Sequence, residues 1–295
     1  MTQTARITGA TRLIGLIGDP VRHSASPFIH NTSFEQLGLD YAYIAFEVDQ
    51  ERLERTVRGM AAMGFLGYNV TTPCKTFILP YLDEVSEVAE IMGAVNTVVI
   101  QNGRSLGDNA DGAAFMRNLV LNGVNILNKK ITVLGAGGAA SAVITQAALD
   151  GVAAIDVFNR KDEYFDKASD LLGRVKEHAP ACEIALYDLA DENALRTSLG
   201  ESQLLINATS VGTPDIPGCL VSEDMLHEGL IVADVVYVPR ETELIAMARA
   251  CGNQVIDGVG MFLQQAAIGE RLWVGCEMPI GTIQDMLEQK DLTQE

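Results

Sequence analysis

The sequence predicts an α/β protein of two domains, each a mostly parallel sheet flanked by helices. Three observations carry that prediction. Short apolar runs of strand length alternate with helical patterns along most of the chain. One of these runs opens directly into the glycine-rich turn Gly135-Ala-Gly-Gly-Ala-Ala140, as the first strand of a doubly wound sheet does. At 295 residues the chain exceeds what a single hydrophobic core comfortably fills.

The elements follow in order. Residues 12–17 (Arg-Leu-Ile-Gly-Leu-Ile) read as a short buried strand. Ser26-Pro27 reads as an N-cap with proline at the first helical position. The helix it starts runs to about Leu37 and stops at Gly38. Tyr41 to Phe46 is the next strand, followed by a helix from about Gln50 to Met63 and a third strand from Phe65 to Val70. Thr72-Pro73 repeats the cap-and-proline signature and starts a short helix that cannot pass Pro80. Residues 83–92 form another helix, closed by Gly93. Val95 to Gln101 and Arg104 to Gly107 flank Asn102-Gly103, a type I′ hairpin signal that predicts an antiparallel edge to the sheet.

The second half begins with a connecting helix from Gly112 to Asn122. Lys130 to Leu134 is a strand, and a helix from the glycine-rich turn runs to Asp150 and is capped by Gly151. Ala154 to Phe158, Leu204 to Ala208, Leu230 to Val236 and Gln254 to Ile256 are further apolar strands, most of them separated by helical patterns. Beyond Gly260 come an amphipathic helix from Met261 to Trp273 and a last one near Ile283 to Lys290. The expected boundaries are residues 1–112, completed by the C-terminal helices of 261–295, and residues 113–260 as a Rossmann-type domain.

Composition narrows the function classes. Hydrophobic content of 48% with 20% charged residues fits a globular protein in water. The formal net charge of -18 argues against nucleic acid and anionic membrane surfaces as partners. It also opposes long-range attraction of an anionic substrate, so any acid that binds needs a local cluster of donors. Cys74, Cys182, Cys219, Cys251 and Cys276 form no C-x-x-C pair and share no metal-ligand spacing with histidine, which predicts reduced thiols and no metal. No long apolar region of signal-peptide type opens the sequence, and no run of about 18 apolar residues occurs, so the expected location is cytoplasmic.

The glycine-rich turn predicts a dinucleotide site. Gly135 and Gly137 allow the backbone to approach a pyrophosphate, and the helix after them turns free N–H groups and its dipole toward negative charge. Ala136, Gly138 and Ala139 complete the turn, and Ala140 is the small third position of the G-x-G-x-x-G/A pattern. An NAD site wants an acidic residue about 20 residues on, near the end of the second strand. Asp156 has that spacing but falls within the strand. Asn159-Arg160-Lys161-Asp162 lies at the strand's end. Arg160 and Lys161 suit a 2′-phosphate, whereas Asp162 suits free ribose hydroxyls and repels that phosphate. The expectation is NAD, with NADP as a second use.

A base and a carboxylate accompany this turn. Asn69-Val-Thr-Thr-Pro-Cys-Lys75 puts Lys75 in the opening turn of a helix, and Gly107-Asp-Asn-Ala-Asp-Gly112 puts Asp111 just past the end of a strand. Together with a hydride acceptor they make an alcohol dehydrogenase. Singly, Lys75 reads as a solvated helix lysine and Asp111 as a helix cap. Ser24 and Ser26 read as turn and cap residues, Asn96 as a hairpin residue, and Gln265 as a polar helix position. Their occurrence together, in order, is more specific than any one of them.

On these segments the chain resembles the shikimate/quinate dehydrogenase family. His23-Ser-Ala-Ser-Pro27, Asn69 to Lys75, Gly93-Ala-Val-Asn-Thr97, Gly107 to Gly112 and Gly135 to Ala139 carry the match in the family's order. Asn207-Ala-Thr-Ser210, Tyr237 and Gly258-Val-Gly-Met-Phe-Leu-Gln-Gln265 extend it over nearly the whole chain. Asn159-Arg160-Lys161-Asp162 is similar to the branch that accepts NAD and oxidises quinate as well as shikimate.

The resemblance implies reversible oxidation of the C3 hydroxyl of a cyclic polyol carboxylate by a monomer or homodimer. It implies Lys75 as the catalytic lysine and Asp111 as its partner carboxylate. A free lysine titrates near about 10.4, burial lowers that and a carboxylate raises it, so the balance of surroundings decides how a lysine serves as a base. Ser24, Ser26 and a helix N-terminus would hold the substrate carboxylate. Thr71, Asn96, Asp111 and Gln265 would contact ring hydroxyls, and Tyr237 would lie near carboxylate and nicotinamide. Thr209, Val235 and Gly258 would join Gly135 to Ala139, Asn159, Arg160 and Asp162 around the cofactor, with Gly260 near the nicotinamide. The sequence departs from the family at Ala110, usually Thr, and at Thr72 and Cys74 before Lys75, which bears on substrate preference. The alternatives are a relative acting on another cyclic acid and a dinucleotide-sensing regulator without turnover; retention of Lys75 and Asp111 disfavours the regulator.

Overall fold

The computed structural model describes residues 7–162 and 164–289. In chain order the first part holds β1 (Arg12–Gly18), α1 (Ser26–Gln36), β2 (Tyr41–Glu47), α2 (Leu53–Ala62) and β3 (Gly67–Val70). It continues with α3 (Cys74–Phe77), β4 (Glu84–Val85), α4 (Glu87–Met92), β5 (Thr97–Gln101) and β6 (Arg104–Asp108). Then come α5 (Ala110–Leu121), β7 (Lys130–Leu134), α6 (Gly138–Leu149), β8 (Ala154–Asn159), α7 (Phe165–His178), β9 (Glu183–Asp188) and α8 (Glu192–Glu201). The chain closes with β10 (Leu204–Asn207), β11 (Ile231–Asp234), α9 (Glu243–Ala250), β12 (Val255–Ile256), α10 (Gly258–Val274) and α11 (Ile280–Gln289). The expected end of the last helix at Lys290 lies outside the described residues.

Two compact units result. One comprises the described chain up to Ala110 and returns from Gln265 onward; the other is Asp111–Gln264. In the first, the sheet order is β2-β1-β3-β5-β6-β4, with β1 parallel to β2 and β3, and β5 antiparallel to β3 and β6. Its two faces bury different sets. Ile17, Tyr68, Val70 and Val98 pack with Val57 and Met60 of α2, Cys74 of α3 and Ala89 of α4. Ile14, Leu16, Tyr43 and Val99 pack with Phe34 of α1 and Trp273 of α10. This is the period-two alternation of a sheet covered on both sides, each buried large apolar side chain contributing about 1.5–3 kcal/mol. Gly67 makes the Trp273 contact possible: a Cβ there would lie 2.4 Å from the indole nitrogen, which donates to the Val98 carbonyl at 2.9 Å.

The second unit has the all-parallel order β12-β11-β10-β7-β8-β9. In order of appearance, counted outward from β7, this is the 3-2-1-4-5-6 arrangement of a doubly wound sheet, whose strand order reverses between β7 and β10. Its strands are continuous apolar runs: β7, β8 and β10 are buried over nearly their whole length.

Local differences from the sequence expectation have physical causes. Ser26 is the first residue of α1 rather than its cap; Ala25 precedes it, and no side chain caps the helix. Thr72 caps nothing either: Pro73 occupies the position before α3, while the Thr72 carbonyl accepts from Asp19 N–H. The expected helix over 83–92 is divided, because Ser86 accepts from Ala89 N–H and caps a helix starting only at Glu87, leaving Glu84–Val85 to pair with β6. That pairing makes β4, not the hairpin, the edge of the sheet. In the second unit β9 was not expected. Only one of its residues is buried, and Glu-Ile-Ala-Leu-Tyr-Asp is too mixed for an apolar run. α5 and α10 begin at Ala110 and Gly258, earlier than the expected Gly112 and Met261.

Candidate active site

In the first unit the expected site residues gather at one edge of the sheet. β1, β3 and β6 run parallel and end there, at Gly18, Val70 and Asp108, while the antiparallel β5 begins there at Thr97. Ser24 and Ser26 lie after β1, Thr71 and Lys75 after β3, and Asn96 just before β5. Residues outside the carboxyl ends of parallel strands are where α/β sheets place ligands. Backbone bonds fix the spacing: Thr71 N–H donates to the Ile17 carbonyl, Val70 N–H to the Asn96 carbonyl, and Val95 N–H to the Lys75 carbonyl, at 2.9, 2.8 and 2.9 Å. Ser26 N–H donates to Ser24 Oγ at 3.2 Å, which ties the two serines together. α1 begins at Ser26 with proline in its first turn, and its first N–H is taken by Ser24 Oγ, so what this helix end offers negative charge is its dipole.

Asn96 is 2% exposed. Its Oδ1 accepts from Thr97 Oγ1 and from Ala110 N–H, each at 2.9 Å. Its Nδ2 is buried without a partner among the described residues. A buried amide donor left unpaired is rare and marks a place where a ligand oxygen would fit. The Ala110 backbone N–H thus helps to orient Asn96 independently of the side chain at position 110. Gln265, on α10, belongs to the same unit. Asp111 is the second residue of α5 and begins the other unit.

The second unit's candidate site lies at the switch point. The chain leaves β7 at Gly135, whose φ of +98° is the left-handed geometry glycine favours. A Cβ there would also lie 2.9 Å from the Ala208 carbonyl, beyond the end of β10. Ahead of Gly137 and Gly138 a Cβ would meet nothing within 4 Å. Gly137 flanks the N-terminus of the 12-residue α6, which again has no side-chain cap. Open ground, an approachable backbone and free helical N–H groups together fit a pyrophosphate. A cavity of about 430 Å³ extends from this turn, lined by Gly135, Ala136, Gly137, Asn159, Arg160, Asp162 and Thr209 among others.

Several residues at this cavity escaped the sequence reading: Tyr164, Leu189, Val211, Ile216 and Leu220 also line it, as does Ser210 of the Asn207–Ser210 segment. Leu189 follows β9, the unexpected strand, and so had no placement. Asn207 organises the turn after β10, its Oδ1 accepting from Thr209 Oγ1 at 2.7 Å and its Nδ2 donating to Asp234 at 2.9 Å. Burial pushes the Asp234 carboxyl up to about 6, against bonds from Thr242, the Val236 N–H and Asn207. Val235 follows Asp234 directly. Gly258 lies so close to the Val235 and Val236 carbonyls that a Cβ would meet them at 2.7 and 2.5 Å. Tyr237 is stacked on Phe262 at 4.8 Å and is 41% exposed. Gly138, Ala139, Val235, Tyr237 and Gly258 do not line the cavity. Asp156, the residue at fingerprint spacing, is removed from ribose recognition: it is buried and paired with Lys130 Nζ at 2.8 Å.

Among the described residues no group of histidine, cysteine and carboxylate side chains is placed to hold a metal, and no helix is long and apolar enough to cross a membrane. The five cysteines are free thiols.

A doubly wound sheet with this turn, in one chain with a unit carrying Lys75 and the Asn96 donor, defines an NAD(P)-dependent oxidoreductase. Residues 16–98 match the shikimate dehydrogenase substrate binding domain. A shikimate dehydrogenase (NADP(+)) of Listeria monocytogenes is 46% identical over 286 residues, covering 96% of this chain and 98% of the relative. A crystal structure of shikimate 5-dehydrogenase from Listeria monocytogenes, in complex with shikimate and NAD, superposes with a TM-score of 0.94 at 46% identity, over 96% of this chain and 99% of that one. Quinate dehydrogenase from Corynebacterium glutamicum, in complex with NAD, is similar at a TM-score of 0.86 and 30% identity, over 95% and 99% of the two chains. The chain belongs to the shikimate dehydrogenase family.

Proposed function

We infer that this protein reversibly oxidises the C3 hydroxyl of shikimate, quinate or both, with hydride transfer to NAD(P). The observation that carries the reading is the 46% identity to a named shikimate dehydrogenase over 96% of the chain, with Lys75 and Asp111 in place. The dinucleotide supplies the hydride acceptor. Lys75 takes the hydroxyl proton in oxidation and returns it in reduction, a role that contributes about 10²–10⁴-fold. Asp111 orients the reacting hydroxyl. Ser24, Ser26 and the dipole at the start of α1 hold the substrate carboxylate, supplying locally the attraction that a chain of net charge -18 lacks at long range. Thr71, Asn96 and Gln265 bind ring hydroxyls, Asn96 through its unpaired Nδ2. Tyr237 is assigned to the carboxylate and nicotinamide by the family resemblance alone.

Around the cofactor, the turn from Gly135 to Ala139 cradles the pyrophosphate, and Asn159, Arg160 and Asp162 receive the adenosine ribose. Thr209, Val235 and Gly258 complete the site. NAD is the preferred form and NADP a second. The support is Asp162, whose carboxylate lies 3.5 Å from Arg160 Nε, so the cation that would bind a 2′-phosphate already has an anion beside it. The Listeria relative named for NADP(+) and the Listeria structure holding NAD are each 46% identical to this chain, which agrees with dual use. Steady-state kcat/KM for shikimate and quinate with each dinucleotide tests the reading. Turnover of at least one acid, faster with NAD, is expected; no reduced nicotinamide in any of the combinations contradicts it.

A further inference from the structure

A chain of buried hydrogen bonds runs to Asn96 from a residue with no role assigned so far. Tyr43, on β2, is 2% exposed. Its hydroxyl donates to Asn69 Oδ1 at 2.7 Å. Asn69 Nδ2 then donates to the Asn96 carbonyl at 3.2 Å and to Thr97 Oγ1 at 3.3 Å. Thr97 Oγ1 in turn donates to Asn96 Oδ1. With that oxygen engaged, the Asn96 side chain has one orientation, and its unpaired Nδ2 has one direction in which to look for an acceptor.

The tyrosine itself is held firmly. Its ring stacks on His30 at 4.3 Å with planes 22° apart. His30 Nδ1 bonds Glu270 Oε1 at 2.9 Å, and Glu270 Oε2 accepts from Ser33 at 2.7 Å. His30, Ser33 and Glu270 are all buried. These bonds join α1, which begins at Ser26, to α10, which carries Gln265. Apolar packing alone would be served equally by phenylalanine, since a buried hydroxyl gains nothing unless it is bonded. Burial also pushes the phenol well above its usual range, so Tyr43 stays a neutral donor.

We propose that Tyr43 is a positioning residue for the hydroxyl end of the substrate site, its one hydroxyl fixing Asn69 directly and Asn96 through it. The proposal rests on the substrate reading given above. Removing the hydroxyl leaves Asn69 Oδ1 without its donor, frees the Asn69 amide to turn over, and releases the Asn96 carbonyl and Thr97 from the bonds that Asn69 Nδ2 makes. The contacts weakened in this way act on bound substrate and on the reacting state alike, so the signature is a change in KM with little change in kcat.

The test compares wild type, Tyr43→Phe and Trp273→Phe by steady-state kinetics, by calorimetric titration with shikimate and with NAD, and by thermal melting. Trp273→Phe removes a bond to the Val98 carbonyl on the same core face and leaves the bonds of Asn69 in place, so it reports general loosening of that face. For Tyr43→Phe the expected result is about a tenfold rise in KM and in the Kd for shikimate, kcat within about twofold, and an unchanged Kd for NAD. For Trp273→Phe a lower melting temperature with an unchanged KM is expected. A Tyr43→Phe variant with wild-type KM, or with a rise matched by Trp273→Phe, overturns the positioning role while the substrate reading stands. A wild type that binds neither shikimate nor quinate overturns that reading and the proposal with it.

Discussion

The two sheets hold their sites by different means. At the edge of the mixed sheet, the candidate groups are side chains on short connections, and several are oriented by other side chains: Asn69 by Tyr43, Asn96 by Thr97. At the switch point of the parallel sheet, the site is mostly backbone: the positive φ of Gly135, the open ground before Gly137 and Gly138, and the N–H groups of α6. A backbone site is spoiled by adding atoms, and a side-chain site by removing them. The first kind fits a pyrophosphate, which is the same in every dinucleotide. The second can tell one hydroxylated ring from another.

Adding atoms to the parallel unit should produce the largest effect. Gly135→Val forces a branched residue into left-handed geometry against the Ala208 carbonyl, and the Kd for NAD should rise about a hundredfold or more. Shikimate binding should not change; calorimetry with each ligand separates the two, and tight NAD binding by this variant would break the comparison.

Removing atoms from the mixed unit comes next. Glu270→Ala strips His30 and Ser33 of their common acceptor inside the core, at a cost of about 3–5 kcal/mol in urea unfolding. A loss below about 1 kcal/mol would mean the clamp between α1 and α10 is not structural.

The third effect is pH-dependent and belongs to the turn beside the cofactor cavity. The folded chain holds the Asp234 proton more tightly than the unfolded chain does, because burial raises its carboxyl to about 6. Its contribution therefore favours folding below about pH 4 and is lost as the pH rises through about 6. Over that interval wild type should lose about 2–3 kcal/mol relative to Asp234→Asn, read from denaturant midpoints. Parallel pH profiles would show that Asp234 does not titrate there.

The smallest effect concerns which dinucleotide the backbone site takes. Asp162→Ala releases Arg160 from its neighbour and removes a repulsion, so the ratio of kcat/KM for NADP over NAD should rise about tenfold. An unchanged ratio would place discrimination elsewhere in the cavity.

What the sequence makes legible follows the same division. Gly135 to Ala140 between a strand and a helix specifies the doubly wound unit, because a pyrophosphate cradle is a local pattern. Lys75, Asp111 and the serines were legible as members of ordered motifs. Their neighbours were not. Tyr43 is separated from Asn69 by 26 positions, and nothing in an apolar strand marks one tyrosine hydroxyl as bonded. Asp156 had the spacing of a ribose ligand, yet Lys130 on the neighbouring strand claims it. Edge strands β4 and β9 escaped because one face of each meets little apolar surface. Cap signals misled at Ser26 and Thr72, where the residue type was right but a neighbour held the position.

The central claim is that Lys75, in the first unit, carries the proton transfer while the switch point of the second unit holds the dinucleotide. The most direct measurement is kcat of Lys75→Ala at saturating shikimate and NAD, with its Kd for NAD taken from the same preparation. The account predicts a fall in kcat of about 10²–10⁴-fold with an unchanged Kd. Full turnover by Lys75→Ala would contradict it.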